Sequence, residues 1–180
     1  MIFAPLPLDG AFEIALEKRA DARGFFARIY CDDEFAGAGL NTHWVQMNLS
    51  LTAEAGTLRG MHFQRPPAGE VKLVRAAKGR AHDVIVDLRA GSASYGRHAV
   101  VVLDAETRNA VYIPEGFAHG FQALLPETEL IYAHSRTYAP GHEGGIHPLD
   151  PGLAIDWPLP PRHLSARDDA LPALKELAPL

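Results

Sequence analysis

The chain has 180 residues, 47% of them apolar, which is enough for one domain with a substantial core and short for two. Its formal net charge is −5 with both signs scattered, which disfavours a nucleic-acid-binding protein, because such proteins concentrate Lys and Arg on one face. The single cysteine, Cys31, excludes an intrachain disulfide, and no apolar run approaches the roughly 20 residues that span a bilayer. We therefore expect one cytoplasmic domain over residues 1–180, with no leader and no membrane or nucleic-acid partner.

Helix signals are few, and they lie outside the middle of the chain. Asp32 is predicted to cap a helix of one or two turns that ends at Gly37. A second short helix is predicted after Asp169, with Pro172 near its first turn and leucines at positions 171, 174, 177 and 180. Both helices are expected to lie at the periphery of the fold.

The middle of the chain consists of short β-rich runs separated by Gly, Pro and Asn. The predicted strands are Trp44–Leu49, Val71–Ala77, Ala81–Leu88, His98–Leu103, Ala110–Ile113 and Leu130–Tyr138. Turn residues at 79, 91, 96 and 114–116 separate several of them. This pattern favours an antiparallel sandwich or barrel over βαβ units.

The last of these strands has a chemically unusual face. Alternation places Leu130, Tyr132, His134, Arg136 and Tyr138 on one side and small, mostly apolar residues on the other. Such a polar aromatic face either meets solvent or lines the interior of a barrel that holds a ligand. The neighbouring motifs favour the interior.

Two dense motifs carry the candidate chemistry. The first runs from Gly56 to Gln64 (GTLRGMHFQ). In a strand its His62 and Gln64 share a face, and a barrel would bring Lys72 across from them on the next, paired strand. The second, YIPEGFAHGF, holds His119 after a tight turn fixed by Pro and Gly. Together they resemble the two sequence motifs of cupins. The resemblance implies an all-β double-stranded β-helix, or jelly-roll barrel, with a few short peripheral helices.

Many cupins bind a metal between histidines of the two motifs. Here Gln64 stands where an imidazole ligand is common, and a neutral amide oxygen is a weak donor to borderline transition metals. The positive charge of Lys72 would also repel a divalent ion. We therefore expect neither a metal nor another cofactor, which leaves His62 free to act as a general base.

The chain resembles the dTDP-4-dehydrorhamnose 3,5-epimerase family over roughly residues 10–170 in the order and approximate spacing of its motifs. The segments that carry the resemblance are Asp21–Phe26 (DARGFF), Gln46–Asn48 (QMN), Arg59–Gln64 (RGMHFQ), Lys72–Arg75 (KLVR), Asp83–Arg89 (DVIVDLR), Ile113–Phe121 (IPEGFAHGF), Asp150–Pro151 (DP) and Ser165–Asp168 (SARD). Each piece is weak alone, whereas the ensemble is specific.

This resemblance implies a jelly-roll homodimer that inverts C3 and C5 of a 4-keto sugar linked to a nucleoside diphosphate. A base removes the proton α to the ketone, and an acid on the opposite face returns one. By the match, His62 is the base, Asp168 orients its imidazole, and Tyr132 is the acid. Lys72 and His119 lie near the sugar, where they would stabilise an enolate.

The resemblance also implies substrate contacts. Tyr138 matches a residue that stacks on the nucleotide base, and Arg23 and Arg59 match residues that hold the diphosphate, for which guanidinium groups are well shaped. The segment around Arg23 would complete the site of a neighbouring subunit. Further matched contacts are Gln46, Asn48, Glu143 and Arg167. We assign Asp83, Asp87 and Arg89 structural roles, because alternating charge on a strand is typical of a solvated or ion-paired edge.

Two departures from the family pattern leave the nucleotide and the exact sugar open. Arg28 stands where a Glu contacts the nucleotide, and His147-Pro148 replaces an aromatic residue before Asp150-Pro151. Alternatives are a 3- or 5-monoepimerase, a sugar keto-isomerase, a non-catalytic cupin that binds a sugar nucleotide, and a metal-dependent cupin oxygenase or isomerase. The pathway that the product feeds is also open.

Overall fold

The computed structural model describes residues 1–180, and β-strands dominate it. The strands are β1 (Ile2–Pro5), β2 (Phe12–Ala15), β3 (Arg19–Asp21), β4 (Gly24–Phe26), β5 (Gln46–Thr52), β6 (Leu58–Gln64), β7 (Lys72–Lys78), β8 (Arg80–Asp87), β9 (His98–Asp104), β10 (Ala110–Ile113), β11 (Phe117–Ala123), β12 (Thr128–His134) and β13 (Glu143–Gly145). Two short helices, α1 (Asp32–Gly37) and α2 (Ala166–Asp169), and two 3₁₀ turns, Pro140–His142 and Leu174–Glu176, complete the chain.

The strands form two large antiparallel sheets. One has the order β1-β2-β10-β7-β12-β5, the other has the order β13-β6-β11-β8-β9, and β3 and β4 form a separate hairpin. Neighbouring strands are mostly distant in sequence, because the chain crosses repeatedly between the sheets. The predicted all-β double-stranded β-helix with short peripheral helices is confirmed.

The main core lies between the two sheets. Val74 and Leu130 from the six-stranded sheet belong to the same buried cluster as Ile85, Leu103 and Phe121 from the five-stranded sheet. All five residues are almost wholly withdrawn from solvent. Burial of these apolar faces is the main favourable contribution to holding the sheets together.

The helices differ from the prediction in two ways. Helix α1 has Cys31 at its N-cap, so Asp32 is the first helical residue and not the cap. The helix predicted after Asp169 is wrong, because α2 ends there and only a 3₁₀ turn follows. The C-terminal leucines Leu174, Leu177 and Leu180 instead pack on a second apolar cluster without needing a continuous helix. Neither helix has the length or the apolar content of a membrane-spanning segment.

Two strand predictions also need correction. Strand β12 ends at His134, so Tyr138 lies in the following loop, where its N–H donates to Oε1 of Gln46 (3.0 Å). Strands β6 and β7 belong to different sheets, so Lys72 approaches His62 from the opposite sheet and not from a paired strand. The hydrophobic pattern could not indicate which strands pair, because crossing connections decide this.

Asp87 is a buried carboxylate that holds the turn after β8. It accepts hydrogen bonds from Arg89 Nη2 (2.8 Å), Ser92 Oγ (2.6 Å) and Ser94 Oγ (2.6 Å). Burial raises the pKa of Asp87, but these hydrogen bonds outweigh burial and hold the pKa well below its usual range. Asp87 and Arg89 thus form an ion pair, as their structural assignment predicts.

Replacing this carboxylate is expected to destabilise the fold in a pH-dependent way. We expect Asp87→Asn to lower the free energy of unfolding by about 2–3 kcal/mol at pH 7, because charged hydrogen bonds are lost. The folded pKa lies below the unfolded value of about 3.9, so this stability is present above that value and is lost as the pH falls through the folded pKa. In urea unfolding, the free energies of unfolding of the unaltered protein and Asp87→Asn should therefore differ less at pH 3 than at pH 7. An equal difference at both pH values would contradict the assignment of Asp87 as an ionised, hydrogen-bonded carboxylate.

Candidate active site

A polar cavity opens where the inward-facing side chains of the sheets change from apolar to polar. Along β12 the inward positions change from Leu130 to Tyr132 and His134, and along β7 they change from Ala76 to Lys72. The two strands pair antiparallel, with Leu130 opposite Ala76 and His134 opposite Lys72. The polar residues of both strands therefore fall at the same end of the sandwich.

The cavity has a volume of about 730 Å³, within the range of small-molecule sites. Every predicted site residue except Arg23 lines the cavity. The lining residues that were predicted are Gln46, Asn48, Arg59, His62, Lys72, His119, Tyr132, Tyr138, Glu143, Arg167 and Asp168. Residues from both sheets, the loop after β12 and α2 thus meet at one opening.

His62 and Asp168 form a hydrogen-bonded pair at this cavity. His62 Nε2 lies 2.6 Å from Asp168 Oδ1, although 106 residues separate the two in sequence. The His62 side chain is 34% exposed, whereas that of Asp168 is 6% exposed. The imidazole therefore reaches the cavity while its carboxylate partner stays behind it.

Helix α2 holds Asp168 in position. Ser165 caps the helix by accepting a hydrogen bond from the N–H of Asp168 (3.0 Å), and the Asp168 carboxylate accepts another from the N–H of Gly60 (3.3 Å). Burial raises the pKa of Asp168, but the hydrogen bond from His62 and these further contacts outweigh it and lower the pKa below its ordinary value. Asp168 is thus both part of a capped turn and the partner of His62.

A second histidine–carboxylate pair lies deeper, and the sequence interpretation missed its acid. His119 Nε2 is 2.7 Å from Asp83 Oδ2, and Asp83 Oδ1 has no hydrogen-bond partner. Burial raises the pKa of Asp83 and outweighs the hydrogen bond with His119 and the positive charge of Lys72. The assignment of Asp83 to a solvated or ion-paired edge is therefore wrong. Its place between the inward residues Ala81 and Ile85 of β8 is the signal that could have shown this.

Tyr132 faces the cavity from the sheet opposite His62. Its hydroxyl lies 3.2 Å from Ser50 Oγ, and its ring packs edge-on against His119 and stacks on His134. Burial raises the pKa of Tyr132, although the hydrogen bond with Ser50 opposes the shift. The phenol is consequently protonated at neutral pH and can donate a proton.

Lys72 is buried near Glu70 and His134, two residues that are not among the predicted site residues. Its Nζ lies 3.2 Å from Glu70 Oε1 and 3.4 Å from the carbonyl oxygen of His62. The other carboxylate oxygen of Glu70 is 2.8 Å from His134 Nδ1. His134 was visible on the polar face of its strand, whereas no pattern in the sequence marked Glu70.

The remaining predicted contacts surround the cavity. Arg59 donates to Thr52 Oγ1 (3.0 Å) and to the carbonyl oxygen of Leu51 (3.1 Å). Glu143 accepts from the Tyr138 hydroxyl and from Arg167, each at 2.9 Å. These contacts hold two guanidinium groups and one exposed aromatic ring around a single opening.

Arg23 is the exception among the predicted site residues. It lies on the hairpin of β3 and β4, its side chain is 89% exposed, and it pairs with Asp21 at 2.6 Å. Arg28 pairs with Glu34, and neither Arg28 nor His147 lines the cavity. The structure therefore does not place Arg23 in the cavity of its own chain.

Gln64, at the position where many cupins have a metal ligand, makes structural hydrogen bonds. Its amide nitrogen donates to the carbonyl oxygen of Ala68 (3.0 Å), and its amide oxygen accepts from the N–H of Ala139 (2.6 Å). No group of three or more His, Cys, Asp or Glu side chains is arranged to hold a metal ion. The cavity instead presents histidines paired with carboxylates.

Comparison with known proteins agrees with this geometry. The sequence model of dTDP-4-dehydrorhamnose 3,5-epimerase matches residues 5–176. A dTDP-4-dehydrorhamnose 3-epimerase from Streptomyces niveus is 47% identical over 173 residues, which cover 95% of this chain and 83% of the relative. A dTDP-4-dehydrorhamnose 3,5-epimerase from Mycobacterium tuberculosis is 40% identical over 176 residues, which cover 96% and 87%.

A solved structure extends the likeness to three dimensions. The crystal structure of NovW, a 4-keto-6-deoxy sugar epimerase from Streptomyces spheroides, superposes with a TM-score of 0.93 at 46% identity. The match covers 98% of this chain and 88% of NovW. The chain therefore belongs to the dTDP-4-dehydrorhamnose 3,5-epimerase family.

Proposed function

We propose that this protein epimerises a 4-keto-6-deoxy sugar linked to a nucleoside diphosphate, of the dTDP-4-dehydro-6-deoxyglucose to dTDP-4-dehydrorhamnose type. One observation carries the proposal. A histidine–carboxylate pair, His62 with Asp168, and a protonated phenol, Tyr132, face one cavity from opposite sheets. Inversion at a carbon next to a ketone needs a base on one face of the sugar and an acid on the other.

His62 is the base in this mechanism. Because Asp168 is ionised, its carboxylate accepts a hydrogen bond from Nε2–H, and the lone pair of Nδ1 is free for the substrate. Nδ1 removes the proton α to the ketone, and Asp168 then stabilises the imidazolium. The ammonium of Lys72 stabilises the negative charge on the enolate oxygen, and His119 lies in the lining of the same cavity.

Tyr132 is the acid. Its raised pKa keeps the phenol protonated until the enolate carbon accepts the proton from the opposite face, which inverts the centre. Ser50, 3.2 Å from the phenol oxygen, can then donate a hydrogen bond to the phenolate. The same base and acid serve C3 and C5, because both carbons flank the same ketone.

The nucleotide is held by the groups around the opening. Arg59 and Arg167 supply guanidinium donors for the diphosphate, and Tyr138 offers an exposed ring for stacking on the base. Gln46, Asn48 and Glu143 supply further hydrogen bonds. The single domain, the cytoplasmic location and the absence of a metal or cofactor stay predictions from the sequence.

The number of inverted carbons separates the two candidate reactions. The Streptomyces niveus relative is named a 3-epimerase and the Mycobacterium tuberculosis relative a 3,5-epimerase, so both reactions occur among close relatives. Incubation with dTDP-4-keto-6-deoxyglucose in heavy water, followed by mass spectrometry, counts the deuterons that enter. Two deuterons indicate the double epimerase and one indicates a monoepimerase. No uptake from this or other nucleotide-linked 4-keto sugars would reject the proposal.

We also propose that the protein is a homodimer in which Arg23 reaches the partner's cavity. The outward side chains of β5, an edge strand, are apolar and exposed, namely Met47 (70%), Leu49 (64%) and Leu51 (54%). An apolar edge strand of this kind is typical of an interface between subunits. Arg23 is exposed on the β3–β4 hairpin and lies outside the cavity of its own chain, which supports a role in the cavity of a second molecule.

The homodimer makes a quantitative prediction. Light scattering after size exclusion should give twice the chain mass of 19.5 kDa, and Met47→Lys should shift the protein towards the monomer, because a buried unpaired charge is costly. Arg23→Ala should leave the mass unchanged and raise KM about tenfold or more, through loss of a diphosphate contact. A fully active monomer would contradict this arrangement.

A further inference from the structure

A line of four hydrogen bonds runs along one wall of the cavity. The N–H of Tyr138 donates to Gln46 Oε1 (3.0 Å), and Gln46 Nε2 donates to Asn48 Oδ1 (3.3 Å). Asn48 Nδ2 lies 3.3 Å from His134 Nε2, and His134 Nδ1 lies 2.8 Å from Glu70 Oε2. The line therefore joins the loop that carries the exposed tyrosine to a buried carboxylate.

The chemistry of the end groups fixes the direction of every bond. A carboxylate only accepts hydrogen bonds, so His134 Nδ1 carries a proton and donates a hydrogen bond to Glu70. An amide NH₂ only donates, so His134 Nε2 accepts from Asn48 and carries no proton. His134 is therefore neutral with its proton on Nδ1, and all four bonds point towards Glu70.

Glu70 also has a second partner. Its other carboxylate oxygen contacts Lys72 Nζ (3.2 Å), and the side chains of Glu70, Lys72 and His134 are only 9%, 9% and 10% exposed. Burial raises the pKa of Glu70, but the hydrogen bond from His134 and the charge of Lys72 outweigh it, so the carboxyl is ionised. Lys72 therefore balances the charge of Glu70.

We propose that Glu70 is a positioning residue that sets the polarity of this wall and holds Lys72. The proposal rests on the function proposed above and deepens it. Each amide NH₂ of Gln46 and Asn48 uses one N–H within the line and keeps a second for a ligand. The wall thus presents donors, which suit a ligand rich in acceptor oxygens, such as a nucleoside diphosphate.

Glu70→Gln removes the carboxylate that accepts from both His134 and Lys72. A glutamine can turn its oxygen to His134, but its NH₂ then meets the ammonium of Lys72. In the other orientation its NH₂ meets His134 Nδ1, which moves the imidazole proton to Nε2 and reverses the amides of Asn48 and Gln46. Either outcome disturbs Lys72 or the polarity of the wall, although the change in side-chain volume is small.

The tautomer of His134 tests the proposal without reference to catalysis. In ¹⁵N NMR spectra of the histidine rings, with His134 assigned by its loss in His134→Gln, the unaltered protein should show a neutral ring protonated at Nδ1. Proton on Nε2, or on both nitrogens, would overturn the proposal. Because this spectrum is recorded on the unaltered protein, the test does not depend on the folding of a Glu70 variant.

Binding of dTDP provides a second readout. Calorimetry should show about tenfold weaker binding for Glu70→Gln, and Glu127→Gln, which removes an exposed carboxylate paired with Lys78, should bind like the unaltered protein. Unchanged affinity and an unchanged tautomer in a folded Glu70→Gln would overturn the proposal. If the unaltered protein shows the expected tautomer and binds dTDP but exchanges no deuterium, the proposed function fails and the positioning role stands.

Discussion

His62→Ala is expected to abolish deuterium uptake at the carbons next to the ketone and to lower turnover by about 10³-fold or more. Nδ1 of His62 is the base nitrogen in the proposed mechanism, because Nε2 is committed to Asp168. No other side chain can replace it at once, since His119 and Lys72 are only 6% and 9% exposed, whereas His62 is 34% exposed. NMR of the sugar protons in heavy water measures the exchange.

A matched control separates loss of the base from loss of the fold. His43 is exposed and outside the cavity, so His43→Ala should exchange deuterium at the unaltered rate. His62→Ala should keep its circular dichroism spectrum and its affinity for dTDP, because the nucleotide contacts remain. A folded His62→Ala that still exchanges deuterium at both carbons would show that another group is the base.

Tyr132→Phe is expected to separate proton removal from inversion. His62 would still remove the proton and, after exchange of its own proton with heavy water, would return a deuteron to the same face. The substrate should therefore gain deuterium with its configuration retained, while formation of the epimer falls about 10²- to 10⁴-fold. The phenylalanine keeps the ring contacts with His119 and His134, so the cavity should persist.

Chiral analysis of the recovered sugar, together with its deuterium content, measures both effects at once. Tyr95→Phe is the matched control, because Tyr95 packs on the second apolar cluster away from the cavity. It should form the epimer at the unaltered rate. Epimer formation by Tyr132→Phe at a rate near that of the control would remove Tyr132 from the role of acid.

The strands and the main site residues were predictable because local patterns encode them. Alternation placed Tyr132 and His134 on one face, and dense motifs marked His62 and His119. The pairing of His62 with Asp168 spans 106 residues, so only the family resemblance suggested it. Short-range pattern alone carries no information about such a contact.

The errors arose where tertiary packing decides. Asp83 was assigned to an edge, but closure of the sheets turns its face inward and buries it. The leucine spacing after Asp169 suggested a helix, although Leu174 and Leu177 reach their apolar cluster from a 3₁₀ turn and its end. Glu70 lies just before a strand, where no periodic pattern indicates burial. Each case depends on which surface the rest of the chain covers.

The most direct test of the central claim is proton NMR of dTDP-4-keto-6-deoxyglucose with the unaltered protein in heavy water. The proton signal at C3, at C5 or at both should disappear, while the signals of protons on carbons that do not flank the ketone persist. A separate titration should show that the protein binds dTDP. If it does, unchanged proton signals at both C3 and C5 of the substrate would contradict the assignment of His62 and Tyr132 as base and acid.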